Sequence, residues 1–392
     1  MNARPLKIAV IAGEVSGDLL GADLVAALKR AHEGTIELVG VGGEALESQG
    51  LTSLFDFSEL SIMGFTQVLA KLPRLIGLIS KAADAIVKAN PDMLLIVDSP
   101  DFTHRVAKKV RSKMPNLPIV NYVCPSVWAW KEYRATAMLS YVDAVLAVLP
   151  FEPAVMERLG GPKTHYVGHR LTSHPDIRRI RMARTNRPAS TDEDERTILL
   201  LPGSRASEIN ALLPVFGDVM KEFIERNGKT RFLLPTVPRQ EARVREIVAG
   251  WDLRPEVLVG DAAKWQAFED ADAAIAASGT VILELALAHV PVVSTYKGDW
   301  LIRLVSHRIK IWTGALPNLI GDYAIVPEYL NDVVRPGSLV RWAERLSTDT
   351  LQRKAMLEGF DLVWQRLDKE LSAGESGSLV VMDLLRERGL IS

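Results

Sequence analysis

The sequence predicts an α/β protein with two parallel-sheet domains and a helical C-terminal segment. Short runs of β-branched residues and leucine recur in both halves, each followed by a turn and a helical pattern, which is typical of βαβ units. The chain has 392 residues, enough for two domains of ordinary size. Hydrophobic residues make up 48% and charged residues 24%, a balance that lets each domain bury a core.

The strand candidates form two groups. In the first half they are KIAVIAG, IELVGV, MLLIVD, PIVNYV and AVLAVLP, and in the second half TILLLP, RFLLP, EVLVG, AAIAAS and PVVSTY. Residues 169–196 between the groups are rich in arginine, proline and acids, so we interpret them as an interdomain connection. The predicted domains are therefore residues 1–170 and 171–392.

The end of the chain is predicted to be helical, because apolar residues recur three and four positions apart in 339–346, 351–371 and 378–388. We expect the helices of residues 350–392 to pack on the first domain or on a second subunit. Two open sheets in one chain are expected to leave a cleft between them, and ligands of such sheets bind beyond the carboxyl ends of the strands. The residues directly after each strand are therefore the functional candidates.

Composition excludes several classes of protein. The 47 basic and 48 acidic side chains give a net charge of −1, so no overall field attracts nucleic acid. The single cysteine, Cys124, forbids an intramolecular disulfide and fits a reducing compartment. The longest apolar region, 273–294, is interrupted by Glu284, His289 and Pro291 and is too broken for a membrane helix. The N-terminal apolar run leads into acidic residues, which predicts a strand rather than a signal peptide.

The turn after the first strand, Gly13-Glu14-Val15-Ser16-Gly17-Asp18, carries the first candidate. Its Gly-x-x-x-Gly spacing differs from the dinucleotide fingerprint, which disfavours a nicotinamide cofactor. Ser16 or Asp18 can be explained as a helix N-cap. Glu14 has no such capping duty, so we predict that it faces the ligand.

The strand MLLIVD ends in Asp98, the leading catalytic candidate. A carboxylate at the end of a buried strand is costly to desolvate without partners, and it suits a general base. The alternative is that Asp98 or Asp101 caps the next helix, a role that fits Asp101 better because Pro100 precedes it. The loop after the fourth strand contributes Trp128 and Trp130, which indicate packing, a sugar-stacking surface or an acyl-chain groove.

The second domain carries two turns suited to phosphate. Small residues at helix N-termini expose backbone N–H groups, and a guanidinium beside them favours a nucleoside diphosphate. Glu284 lies one turn into the second helix, where it could accept from ribose hydroxyls. Plain helix capping is the alternative for each turn. The residues are Gly203, Ser204 and Arg205 after one strand and Ser278, Gly279 and Thr280 after another. No histidine spacing predicts a metal site.

A segment near residue 70 combines apolar residues at helical spacing with Lys71, Arg74 and Lys81. Pro73 should break or kink it. It is either a core-facing helix pair or an interfacial element whose apolar side enters acyl chains while the basic residues meet anionic headgroups. The predicted membrane- or acyl-binding residues are Met63, Val68, Leu69, Leu72, Leu75 and Ile76.

Taken in order, several motifs resemble the lipid-A-disaccharide synthase family. They are AGEVSGD, SIMGF, DSPDF, CPSVWAWK, LPFE, YVGH, LPGSR, ASGT with the following LE, and LPNLI, and they span residue 7 to beyond residue 320. The resemblance implies the glycosyltransferase-B fold, two Rossmann-like domains facing a cleft. It also implies an inverting, metal-independent transfer of 2,3-diacylglucosamine from UDP-2,3-diacylglucosamine to 2,3-diacylglucosamine 1-phosphate, giving a β-1,6 disaccharide and UDP, with no cofactor.

The resemblance also implies roles for single residues. Asp98 would be the base and Glu14 a second acid near it, while Arg205, Ser278, Gly279, Thr280, Glu284 and Asn318 would bind the nucleotide. It favours the membrane interpretation of the segment near residue 70, a location on the cytoplasmic face of the inner membrane, and a homodimer that exchanges C-terminal helices. Two alternatives are a UDP-N-acetylglucosamine 2-epimerase-like enzyme and a nonenzymatic carrier of nucleotide sugars or lipids.

Overall fold

The computed structural model describes residues 5–60, 65–185, 187–191, 194–298 and 310–391, and for residues 65–72 it describes the helical backbone alone. The chain divides into two compact units. The first consists of Met1–Arg170 together with Lys369–Ser392, and the second of Leu171–Asp368. The second unit is therefore one continuous segment, whereas the first is built from both parts of the chain that flank it.

The first unit contains a six-stranded sheet in which every neighbouring pair is parallel, with the order β2-β1-β3-β4-β5-β6. The strands are β1 Leu6–Ala12, β2 Ile36–Val41, β3 Met93–Val97, β4 Ile119–Tyr122, β5 Ala144–Ala147 and β6 Lys163–Tyr166. Strands such as β3 are buried on both faces, and this explains why their sequences are continuous apolar runs rather than alternating patterns.

Helices cover both faces of this sheet. They are α1 Val15–Ala31, α2 Glu44–Ser48, α3 Phe65–Ala89, α4 Pro100–Lys113, α5 Tyr133–Met138 and α6 Glu152–Arg158. Alternate residues of β1 point to opposite cores: Ile8 and Val10 join one cluster with Leu24 of α1, and Ala9 and Ile11 join another with α3 and α4. Pro73 is predicted to break or kink the segment near residue 70; the helix α3 continues through Pro73, so a break there is wrong, while the kink stays a prediction.

The second unit repeats the architecture with the order β12-β11-β10-β7-β8-β9, again parallel throughout. The strands are β7 Arg196–Leu201, β8 Thr230–Thr236, β9 Glu256–Val259, β10 Ala273–Ala277, β11 Val292–Tyr296 and β12 Glu328–Leu330. Together the two sheets confirm the predicted fold class, two parallel-sheet Rossmann-like units with helices at the end of the chain.

The described helices of the second unit alternate with its strands along the chain and then follow them. They are α7 Pro175–Thr185, α8 Ala206–Asn227, α9 Glu241–Ala249, α10 Asp261–Asp270, α11 Thr280–Leu287, α12 Leu316–Gly321, α13 Pro336–Ser347 and α14 Leu351–Leu367. The helix α14 packs on α11 and α12 and so belongs to this unit. The expectation is that all helices after residue 350 pack on the first domain or on a second subunit, and the position of α14 differs from it.

The arginine-rich segment is mostly a helix of the second unit rather than an irregular connection. Residues 175–185 form α7, and its Arg184 is buried. The Arg184 guanidinium donates to the carbonyl oxygens of Phe268, Glu269, Ala271 and His289 at 2.5 to 3.2 Å. Burial lowers the pKa of Arg184 to about 9. Since these carbonyls flank β10, Arg184 fastens α7 to the rest of its unit.

The last helix, α15 Ala373–Glu387, returns to the first unit and packs along α1. Two small residues allow the close approach. A Cβ atom at Gly374 would lie 2.6 Å from Oδ2 of Asp23, and one at Gly377 would lie 3.1 Å from Leu24. Val381 and Leu385 of α15 complete the apolar cluster beneath α1. Within the described residues, none of the helices is long and apolar enough to cross a membrane.

Candidate active site

Each sheet places its candidate residues at the point where the strand order reverses. In the first sheet β1 and β3 are neighbours, and the turns after them carry Glu14 and Asp98. In the second sheet β7 and β10 are neighbours, and the turns after them carry Gly203–Arg205 and Ser278–Thr280. Ligands of open α/β sheets bind outside the carboxyl ends of strands at such reversal points. The topology therefore brings each predicted group together within its own unit.

Asp98 stands in a strained turn that is held from several sides. Asp98 and Ser99 have φ angles of 53° and 43°, a left-handed conformation that non-glycine residues rarely adopt in succession. The Asp98 N–H donates to the carbonyl of Tyr122 at 3.0 Å, and the Thr103 hydroxyl donates to the Asp98 carbonyl at 2.6 Å. The hydrogen bonds to Tyr122 and Thr103 therefore hold this backbone conformation, which the turn residues do not prefer by themselves.

The half-buried carboxylate of Asp98 is oriented by two donors. The Ser99 N–H donates to its Oδ1 at 2.7 Å, and the Ser16 hydroxyl lies 3.3 Å from its Oδ2. Ser16 lies in the first turn of α1, directly after the turn that follows β1, so the start of α1 contacts the turn after β3. Gly13 and Gly17 permit this contact, because a Cβ at Gly13 would lie 2.3 Å from the Ser99 side chain and one at Gly17 would lie 3.3 Å from Asp98.

Glu14 is the N-cap residue of α1, and its side chain makes no capping hydrogen bond. It is exposed at the same edge as Asp98. The capping alternative, in which Asp18 is the N-cap of α1, is wrong. Asp18 is buried, and its carboxylate accepts from the N–H groups of Gly43, Ala45 and Leu46 at 2.7, 2.9 and 3.3 Å. Asp18 therefore caps the next helix, α2.

The capping interpretation of Asp101 is also wrong. The N-cap of α4 is Ser99, and Pro100 is the first helical residue. Asp101 lies in the first turn, exposed, with Oδ1 3.4 Å from a guanidinium nitrogen of Arg134. Asp98 precedes the helix and does not cap it, so its carboxylate is available to interact with a ligand.

The loop after β4 is anchored by a buried acid that sequence reasoning missed. The Trp128 indole donates to Glu152 Oε1 at 3.1 Å, and the Leu149 N–H donates to Glu152 Oε2 at 3.0 Å. Burial raises the pKa of Glu152 to about 7, with the hydrogen bonds opposing that rise. The signal available in the sequence was an acid directly after the apolar run AVLAVLPF, where a carboxylate needs a partner.

The second unit has a cavity of about 430 Å³ at the reversal point of its sheet. Its lining includes every nucleotide-site residue predicted from the two turns and from Glu284: Gly203, Ser204, Arg205, Ser278, Gly279, Thr280 and Glu284. Thr236, Asp261 and Lys264 also line it and were not predicted. The sequence prediction thus identified the cavity but not all of its polar groups.

The two turns of the cavity differ in how their backbone N–H groups are used. Glu208 Oε2 accepts from the N–H groups of Ser204 and Arg205 at 3.1 and 3.2 Å, and Arg205 Nη1 lies 2.9 Å from Glu208 Oε1. The expectation that these N–H groups are free for a phosphate is therefore wrong. Gly203, with φ of 102°, is required because a Cβ there would lie 2.3 Å from Glu208.

The other turn is better suited to a phosphate. The helix α11 begins after Gly279, which has no side chain to cap it, and Thr280 is exposed to the cavity. Glu284 is not unpaired: Lys264 Nζ lies 3.1 Å from its Oε2. The ammonium also lies 3.9 Å from the centre of the Trp265 ring. A fixed cation beside a helix N-terminus is a favourable arrangement for an anion.

Asn318 does not line this cavity, and the structure gives it another role. It is 2% exposed, its Nδ2 donates to Val326 O and Thr313 Oγ1 at 2.9 and 3.1 Å, and its Oδ1 accepts from the N–H groups of Ile325 and Val326 at 2.9 and 2.7 Å. All four hydrogen-bonding positions of the amide are filled. Asn318 therefore stabilises the segment around α12 and has no position left for a ligand.

The predicted membrane segment is described only in part. Met63 lies outside the described residues, as do the side chains of Val68, Leu69 and Leu72, although the helix α3 runs through those three positions. Leu75 is partly buried against the core of the first unit, whereas Ile76 is 48% exposed. Arg74 is exposed and pairs with Glu59 at 2.9 Å. In residues 73–89 the helix therefore has one core-facing side and one open side.

No group of three His, Cys, Asp or Glu side chains is arranged to hold a metal ion within the ranges that the structure describes.

Solved structures with this fold include the S. aureus MnaA-UDP complex, with a TM-score of 0.62, 13% identity and 98% of each chain covered. MurG of Acinetobacter baumannii matches with a TM-score of 0.56 and 14% identity over 98% of this chain and all of that one. The fold class is that of the glycosyltransferase-B proteins.

Sequence comparison defines the family within this class. The family model described as lipid-A-disaccharide synthetase matches residues 8–365. The lipid-A-disaccharide synthases of Nitrobacter winogradskyi and Rhodopseudomonas palustris strain HaA2 are each 44% identical, and the alignments cover 97% of this chain and 96% and 97% of those proteins. The chain belongs to the lipid-A-disaccharide synthase family, and it is a glycosyltransferase of lipid A biosynthesis.

Proposed function

We propose that this protein transfers 2,3-diacylglucosamine from UDP-2,3-diacylglucosamine to the 6-hydroxyl of 2,3-diacylglucosamine 1-phosphate. The observation that supports this best is the division of polar groups between the units. The first unit offers an oriented carboxylate suited to a hydroxyl, and the second a cavity suited to a nucleoside diphosphate. The family name and the near-complete coverage of the relatives agree with this reaction.

Asp98 acts as the base in this proposal. Its carboxylate takes the proton of the acceptor 6-hydroxyl while O6 forms a bond to C1 of the donor sugar and the bond between C1 and the UDP oxygen breaks. Attack opposite to the leaving group inverts C1 and gives the β-1,6 bond. Ser16 and the Ser99 N–H hold the carboxylate in one orientation, which lowers the entropic cost of the reactive arrangement.

The leaving UDP needs compensation for its developing charge. Thr280 and Gly279 supply the N-terminus of α11, and Lys264 supplies a partly buried cation that is held by Glu284 and Trp265. Arg205 is 70% exposed and bonded to Glu208, so it can turn toward a ligand at small cost. We propose that the diphosphate binds between Lys264 and the Ser278–Thr280 turn, and that Glu284 orients the ribose.

Both proposed substrates carry acyl chains, so we also propose that the protein works on a membrane surface at the cytoplasmic face of the inner membrane. The open side of α3, with Ile76 exposed beside basic residues, supports peripheral attachment. This attachment would let the acyl chains stay in the bilayer while the sugars react.

The proposed reaction is tested with the purified protein, UDP-2,3-diacylglucosamine and the 1-phosphate acceptor, with the product measured by mass spectrometry. We expect the disaccharide 1-phosphate and one UDP for each product formed. The Asp98→Asn variant should lose at least about a thousandfold in turnover, because the base is removed. It should still bind UDP with unchanged affinity. Full activity of this variant would remove Asp98 from the mechanism.

A matched control is Asp84→Asn, since Asp84 is an exposed carboxylate of α3 that pairs with Lys113. It should leave turnover unchanged. Product formed from UDP-N-acetylglucosamine without an acceptor would instead indicate the epimerase. That alternative now rests on fold likeness at 15% identity or less, whereas identity to the synthases reaches 44%. A carrier would give no turnover at all.

A further inference from the structure

The loop after β4 carries a cluster of cations and aromatic rings that the proposed mechanism leaves unused. The Lys131 ammonium lies 3.9 Å from the centre of the Trp130 ring, and the Arg134 guanidinium carbon lies 5.7 Å from it. Trp130 is 43% exposed and Tyr133 66% exposed. An exposed tryptophan ring in contact with two cations is unusual for core packing and typical of a binding surface.

This loop is rigid although it is irregular. Cys124 and Val127 are buried, the Trp128 ring packs edge to face on Phe151 at 5.4 Å, and its indole N–H is bonded to Glu152. Lys131 has a φ of 54°, in the left-handed region that a lysine adopts only when its surroundings impose it. The chain therefore places the Lys131 ammonium at a defined position, supported by the Trp130 ring.

The cluster lies on the same edge as the base. β4 is the neighbour of β3, with Tyr122 opposite Val97, so the loop starts beside Asp98. The contact between Arg134 and Asp101 then joins the start of α5 to the first turn of α4, three residues beyond Asp98. The cations are thus close to the base along the edge of the sheet but not in contact with it.

The two cations of the cluster differ in their partners. Arg134 has Asp101 as a partner at 3.4 Å, a loose contact, while Lys131 has no ion pair with any described residue, and the neighbouring acid Glu132 is not its ion-pair partner. The Lys131 ammonium is therefore available to an anion. Lysine and arginine together suit a phosphate, since lysine acts as a mobile point charge and arginine donates in a planar pair.

We propose that Lys131 and Arg134 bind the phosphate monoester of the acceptor, and that Trp130 positions the lysine. This inference rests on the proposed function, in which the acceptor carries a phosphate on C1 and reacts at O6. O6 is attached to C6, which C5 carries, and C5 and C1 are both bonded to the ring oxygen, so the phosphate site must lie near the base without coinciding with it. The cluster lies beside the base along the edge of the sheet, and a phosphate bound there would direct O6 rather than C1 toward Asp98.

The test compares two acceptors, 2,3-diacylglucosamine 1-phosphate and the same sugar without its phosphate. In the unchanged protein, loss of the phosphate should lower kcat/KM by about tenfold or more, the value of a charge-assisted contact. In Lys131→Met the two acceptors should differ by less than about threefold, because the variant cannot recognise the phosphate. The KM for the donor should stay unchanged. Lys131→Arg, which keeps the charge, should restore most of the preference.

The matched control is Lys108→Met. Lys108 is an exposed lysine of α4 in the same unit and also lies on an aromatic ring, that of Tyr141, at 4.9 Å. This variant should keep the full preference for the phosphorylated acceptor. Equal losses on both acceptors in Lys131→Met, or no loss on either, would overturn the inference while the reaction itself stands. If the unchanged protein makes no product from either acceptor, the proposed function fails instead.

Discussion

The indole N–H of Trp128 donates a 3.1 Å hydrogen bond to Glu152, and this bond ties the loop after β4 to the start of α6. The two residues are 24 positions apart and belong to two of the motifs that carry the family resemblance. Their contact joins the two motifs in space. One supplies the loop with Trp130 and Lys131, and the other supplies the buried acid that holds it in place.

Glu152 makes stability depend on pH. Burial raises the pKa of its carboxyl from 4.5 to about 7, so between these values the folded protein holds a proton that the unfolded chain has lost. The free energy of unfolding should therefore fall as pH rises from 4.5 to about 7, by at most about 3 kcal/mol. Glu152→Gln should remove this fall, measured by urea denaturation at pH 5 and pH 8. The exposed Glu157→Gln should keep it.

Lys264→Ala should weaken UDP binding by about tenfold to a hundredfold, because it removes a partly buried cation from the cavity. Isothermal titration calorimetry measures the affinity. Lys229→Ala is the control, since Lys229 is 84% exposed and pairs with Glu195 outside the cavity lining. Equal affinities for UDP in both variants would show that the diphosphate binds elsewhere.

Asp18→Ala should destabilise the protein by about 2 kcal/mol, because three N–H groups at the start of α2 lose their acceptor. Thermal denaturation measures the effect, and Glu44→Gln on the exposed side of α2 serves as the comparison. Turnover per folded molecule should not change. A loss of turnover with unchanged stability would instead assign Asp18 a role in the reaction.

Asn318→Ala should cost about 3 kcal/mol of stability, because four hydrogen bonds of a buried amide are lost together. UDP affinity, measured well below the midpoint of unfolding, should remain that of the unchanged protein. The opposite result, unchanged stability with weakened UDP binding, would support the donor-site role that the family resemblance implies.

Substitutions at two neighbouring residues of α3 distinguish a role in membrane attachment from a role in core packing. Ile76→Ser should reduce binding to vesicles of anionic lipid and leave the melting temperature unchanged, because Ile76 is half exposed. Leu75→Ser should lower the melting temperature, since Leu75 packs on the core. Vesicle co-sedimentation and thermal denaturation measure the two effects. Equal vesicle binding by the Ile76 variant and the unchanged protein would argue against attachment through this side.

The ten strands expected from apolar runs are all present. Central strands such as β3 and β10 are buried on both faces and therefore have continuous apolar sequences. The edge strands β6 and β12 were not predicted. β6, with the sequence KTHY, is not buried and has no apolar run, and β12 has only three residues. Positions of Asp98 and Ser278 were predictable, since a residue at the end of a parallel strand must lie at the ligand-binding edge.

The partners of the site residues were not predictable from local sequence. Lys264 lies 20 residues before Glu284 on another helix, so only the packing of α10 reveals that it neutralises this acid. The same holds for Asp18, whose partners lie at least 25 residues away. Glu208 is a different case: it stands three residues after Arg205, the spacing of a capping box, and could have been recognised from its position alone.

The closure of the first unit by α15 reverses the usual order of folding during synthesis. The last contacts of α1, those of Leu24 with the cluster around Val381, cannot form until a ribosome has added the final helix. The second unit is complete in sequence by residue 368, while the first still lacks part of its core. The part of the chain made first is thus completed last, because the core cluster around α1 lacks Val381 and Leu385 until α15 has been made.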